Sequence, residues 1–171
     1  MSIIKKLLKE IEQEAHNTRN MLSIVPNDKY DWQPHPKSMS IQKLTNHIAE
    51  LPGWLTMAVT TDGLDFAANP YEPTFHNNTA DVLDVFENQL ADGRAHVEAM
   101  NEDELDKPWT LRNGDHILSA MTKYETLRMT FAQMIHHRAQ LGVYLRLLNI
   151  AIPGSYGPSA DELEKMAEFA A

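Results

Sequence analysis

The sequence predicts an all-α fold: a four-helix bundle with one long crossover, a small β-hairpin near 109–118 and a short C-terminal helix. Three observations carry that prediction. Apolar residues recur at spacings of three and four along four long segments, as amphipathic helices require. One connection, residues 61–78, is far longer than a turn. Asn113-Gly114, set between two short alternating runs, is the strongest short-range hairpin signal.

In chain order, residues 3–25 place Ile4, Leu7, Leu8, Ile11, Ala15, Leu22 and Val25 on one helical face, and Pro26 ends the run. After a proline-bearing connector, Ser38 or Ser40 offers an N-cap for a second helix over 39–60. Pro52-Gly53 interrupts it, so a kink just past its midpoint is expected. Thr79 can cap a third helix over 80–100, with Val82, Val85, Phe86, Leu90 and Val97 on its apolar side. Asn101-Glu-Asp-Glu104 reads as a capped single turn. The hairpin comes next, then a fourth helix over 119–149 whose stripe holds Leu127, Met134, Leu141, Tyr144, Leu145 and Leu148. Ser159-Ala-Asp-Glu162 is a capping-box start for the last helix. No repeat or linker divides the chain, so residues 1–171 read as one domain.

Composition narrows the chemistry. The net charge of −9 and the lack of a basic stripe argue against nucleic acid and anionic membranes as partners. No apolar run approaches the length of a membrane span, and the amphipathic start lacks the pattern of a secretory signal. A cytoplasmic location is therefore expected. With no cysteine there can be no thiolate metal site and no thiol nucleophile of the protein's own.

His136 and His137 lie near the middle of the fourth helix. At about 100° per residue, His137 falls within the apolar stripe and His136 points to roughly the opposite side. The second helix carries His47 at the edge of its stripe of Ile41, Leu44, Ile48, Leu51 and Leu55. Two helices thus each present one imidazole at the core margin, and if they pack side by side the imidazoles can meet where bundles build metal sites. A catalytic site of zinc type has three protein ligands. The candidates for a third are Gln133, at i−4 from His137, and Glu50, at i+3 from His47; both spacings share a helical face. The amide oxygen of Gln133 is a weak donor. Glu50 is also a candidate general base. Arg138 is expected at the surface, paired with nearby acidic groups. Trp54 and Tyr144 are expected in the core, and His76 on the surface.

The run Ser38-Met-Ser-Ile-Gln-Lys-Leu-Thr-Asn-His-Ile-Ala-Glu-Leu-Pro-Gly-Trp54, with Trp32-Gln-Pro-His-Pro-Lys37 before it, resembles the DinB family, as do His136-His-Arg-Ala-Gln-Leu141 and Tyr156-Gly-Pro-Ser-Ala-Asp-Glu162. The resemblance implies a four-helix bundle, often homodimeric, with nickel or zinc held by three histidines. It also implies metal-dependent thiol-transferase or hydrolase chemistry on a small molecule, in some members with a low-molecular-weight thiol. By that resemblance His47 and His137 match the first and last metal ligands, while Gln133 stands where the remaining histidine belongs. Two alternatives follow: an enzyme whose ion is completed by Gln133 or Glu50, or a non-catalytic bundle that binds a small molecule or dimerises and has lost the metal.

Overall fold

Short polar side chains set the helix starts. Ser2, Ser40, Asn78 and Thr122 each accept a hydrogen bond from the backbone N–H three residues on, satisfying a donor that the helix itself leaves unpaired. The computed structural model describes residues 2–169. In order these form α1 (Ile3–Ser23), α2 (Ile41–Glu50), α3 (Gly53–Thr60), β1 (Gly63–Asp65), α4 (Thr79–Ala99), β2 (Pro108–Asn113), β3 (His116–Thr122), α5 (Lys123–Leu147) and α6 (Ala160–Phe169). Single 3-10 turns occupy Asn27–Lys29 and Glu102–Glu104, the second capped by Asn101 as expected.

Several expectations need correction. Asn78, not Thr79, caps α4; the Thr79 hydroxyl instead donates to the carbonyl of Val25 at 2.6 Å. The second helix is two helices rather than one kinked rod. Leu51 N–H closes α2 on the His47 carbonyl, and α3 restarts with Trp54 and Leu55 donating to Leu51 and Pro52. Pro52, which has no N–H, sits at the seam. Helix α4 presses into that seam at Gly93, where a Cβ would come within 2.6 Å of the Pro52 carbonyl oxygen.

The hairpin is longer than expected and belongs to a three-stranded sheet. β2 and β3 pair antiparallel from Pro108↔Thr122 to Asn113↔His116, with a bulge at Leu111/Arg112. Gly114, first of the two turn residues, has φ +59°, a conformation suited to primed hairpin turns. β1, unforeseen within the crossover, pairs parallel to β2 from Gly63↔Thr110 to Asp65↔Arg112. Because β3 runs to Thr122, α5 starts at Lys123 rather than 119. Thr122 and Glu125 form a full capping box there. Trp109 docks the sheet on the bundle: it is fully buried, and its indole N–H donates to Thr61 Oγ1 at 3.1 Å.

The bundle proper has four members, with the α2–α3 pair counting as one. α1 and α2–α3 each lie against both α4 and α5. Their apolar faces form one core, in which Ile41, Leu44, Ile48, Leu55, Phe86, Leu127, Phe131, Met134 and Leu141 are fully buried. Burying one such side chain is worth about 1.5–3 kcal/mol. Among the described residues, no helix is long and apolar enough to cross a membrane.

Arg138 corrects the sequence reading most sharply. It is 2% exposed, and its guanidinium donates to Glu14 Oε2 at 2.7 Å and Thr18 Oγ1 at 3.1 Å. Its second amino group donates to the Tyr156 hydroxyl at 2.9 Å, and that hydroxyl in turn donates to the Glu14 carboxylate. The network ties α1, α5 and the segment after α5 together. No sequence spacing shows it, because Glu14, Arg138 and Tyr156 lie on separate segments.

Candidate functional site

The two imidazoles singled out from sequence do meet. His47, on the last turn of α2, and His137, on α5, stand edge to face with ring centroids 4.6 Å apart and planes at 81°. Both are half-buried. Burial lowers the pKa of each from the ordinary histidine value of 6.5, and their mutual repulsion lowers that of His47 further. For His137 the exposed His136 ring, 4.8 Å away, works in the same direction, while a hydrogen bond to Gln140 opposes it. The pair is therefore neutral near pH 7, the form in which imidazole binds a metal.

The bond to Gln140 also fixes a tautomer. His137 Nδ1 lies 2.8 Å from the amide oxygen Oε1. An amide oxygen only accepts, so Nδ1 carries the proton and Nε2 keeps its lone pair. Gln140 thus stands where many metal-site histidines have a supporting acceptor.

The expected third partners separate. Gln133 is exposed, and it lines a small cleft of about 140 Å³ together with His47, Leu51, Trp54, Leu111 and Thr130. Glu50 does not complete the pair: among the described residues no group of three or more histidines or carboxylates is placed to hold a metal ion. Instead its Oε2 accepts a 2.5 Å hydrogen bond from the Tyr71 hydroxyl. Burial and the neighbouring carboxylate push the Tyr71 phenol up to about 12, so it stays protonated and donates. The donor set for a metal is two imidazoles with a neutral amide nearby. It fits an open, weakly held ion and not a closed structural one.

A larger cavity of about 550 Å³ also has His47 in its wall. Helices α2 and α3 supply His47, Glu50, Trp54 and Met57, and the crossover supplies Phe66, Tyr71 and Glu72. Trp54, expected in the core, is half-buried and lines both the cleft and the cavity. Tyr144 does lie in the core. The crossover is held over the cavity by two anchors. One is Tyr71 on Glu50. The other is Asn46, 3% exposed, whose amide accepts from His76 N–H and donates to the His76 carbonyl, each at 2.8 Å. His76, expected loose on the surface, is half-buried by this clamp. Sequence reasoning missed Phe66 and Tyr71, because a polar connection has no periodicity to betray which residues line a cavity, and Asn46, because its partner at position 76 lies 30 residues on. Another cleft, of about 580 Å³, lies between the outer face of α5 and the segment around Tyr156; no predicted site residue lines it.

Comparison with known proteins gives the same architecture. The model of the DinB family matches residues 1–168. The crystal structure of a DinB-like protein from Bacillus subtilis superposes with a TM-score of 0.69 at 19% identity, covering 88% of this chain and 97% of that one. YfiT from Bacillus subtilis, described as a probable metal-dependent hydrolase with an unusual four-helix bundle topology, gives 0.66 at 10% identity, covering 88% and 91%. The mycothiol-dependent maleylpyruvate isomerase gives 0.59 at 16% identity, covering 81% of this chain and 60% of that one. At such identities the likeness is one of fold. No curated protein matches the sequence.

Proposed function

The chain belongs to the DinB family, and from that membership we propose that it is a metal-assisted enzyme of thiol-transferase or hydrolase type acting on a small molecule. One observation carries the reading: a neutral pair of imidazoles from two helices, 4.6 Å apart, one of which, His47, lines a cavity of small-molecule size. A structural neighbour described as a probable metal-dependent hydrolase supports it.

His47 and His137 would hold a divalent ion, nickel or zinc, with Gln133 as a weak third donor. Such an ion, when bound, supplies Lewis acidity that lowers the pKa of a water or thiol beside it. The protein's own groups set up the rest. Gln140 keeps the His137 proton on Nδ1. Trp54 and Phe66 give the cavity an apolar wall. Glu50 Oε1, the oxygen that Tyr71 leaves unbonded, is the acceptor for a proton released at the reacting end. Because the chain has no cysteine, a thiol nucleophile enters as a cosubstrate.

A second reading is favoured by Gln133 alone: a non-catalytic bundle that binds a small molecule without metal. Titration of untagged, metal-free protein with nickel and with zinc separates the two. The enzyme reading expects one ion per chain, lost in His47→Ala and in His137→Ala. No uptake, or uptake that His137→Ala leaves unchanged, overturns it and leaves the second reading.

A further inference from the structure

We infer that the cavity beside His47 takes a small organic cation, an amine or quaternary ammonium with an apolar body. The walls point there. Trp54, Phe66 and Tyr71 give it three aromatic rings, and Glu50 and Glu72 give it two carboxylates. No lysine or arginine lines it, and none lines the adjoining cleft. Arg112, which β2 sets opposite Asp65 just before Phe66, is engaged by Asp65 and by the carbonyl of Gly114.

The carboxylates are not spent elsewhere. Tyr71 takes one oxygen of Glu50, and among the described residues Glu72 makes no ion pair and the other Glu50 oxygen has no protein partner. An anionic ligand would bring a like charge against both. A cation gains from both and from the aromatic faces, whose negative quadrupoles attract ammonium groups. The net charge of −9 draws cations toward the surface before they reach the cavity. The volume of about 550 Å³ suits a small molecule and not a folded partner.

This inference deepens the enzyme reading and rests on it only in making the bound cation a substrate; the binding itself requires no metal. The test is calorimetric titration of metal-free protein with three probes of one shape: 2-phenylethylammonium, 2-phenylethanol and 3-phenylpropionate. The ammonium is expected to bind about tenfold more tightly than either of the others, and less tightly as salt is raised. Glu72→Gln, at an exposed position, and Glu50→Gln are each expected to weaken the ammonium several-fold and leave the alcohol unchanged. Equal or tighter binding of the carboxylate or the alcohol overturns the inference, and so does failure of the ammonium to bind at millimolar concentration. His137→Ala is expected to keep the ammonium affinity. If metal uptake fails while the ammonium binds, the enzyme reading falls and the cation site stands; if metal binds and the ammonium does not, the reverse holds.

Discussion

The amide oxygen of Gln140 accepts the Nδ1 proton of His137 at 2.8 Å, three residues further along α5, and so decides which ring nitrogen keeps its lone pair. In the proposed site this makes Gln140 a supporting residue behind a ligand.

Two glutamines on one helix should therefore act in opposite directions. Gln140→Leu frees the His137 ring and is expected to weaken nickel or zinc binding by about tenfold or more. Gln133→His puts a third imidazole at i−4 from His137 and is expected to tighten it by about tenfold or more. Competition titration against a chelator measures both. No change in either variant would show that an ion does not sit against His137.

The histidine pair also predicts how stability follows pH. Both rings have lower pKa values folded than the ordinary 6.5, so below that pH the unfolded chain binds protons that the folded chain resists. Their contribution is complete above pH 6.5 and is lost as pH falls through the folded values. Metal-free protein should melt at a lower temperature at pH 5.5 than at pH 7.5. In His137→Gln that pH dependence should flatten, whatever the variant does to stability at pH 7.5.

Glu14 and Arg138 are buried as a pair, so removing one charge strands the other. Glu14→Gln is expected to cost about 3–5 kcal/mol, on the order of 10 °C in Tm. Tyr156→Phe, which deletes a hydroxyl on an exposed residue, should cost about 1 kcal/mol. The double variant Glu14→Met/Arg138→Met should lose much less than the losses of Glu14→Met and Arg138→Met added together. Additive losses in the thermal melts would mean that the pair is not coupled.

What the sequence made legible follows its periodicity. Helical spacing located the four bundle helices and put His47 and His137 at the core margin, because a side chain's face on a helix is fixed by its number. The capping-box start at Ser159 held as well, with Ser159 and Glu162 bonding reciprocally. Strand β1 was hidden because three residues are too few to show alternation. Arg138 looked like a surface charge, since its partners, Glu14 and Tyr156, lie far off in the chain. The cavity was invisible for the same reason: Phe66, Tyr71 and Glu72 meet Trp54 only after the crossover folds back.

The clamp between Asn46 and His76 has an evolutionary consequence. Asn46 reads only the backbone N–H and carbonyl at position 76, groups that any residue but proline provides. At position 76 the crossover is therefore held with no demand on the side chain there. Sequence drift can exchange Phe66 or Glu72, and so retune what the cavity accepts, while the clamp, the bundle and its histidines stay as they are. The crossover is a replaceable cassette on a fixed frame.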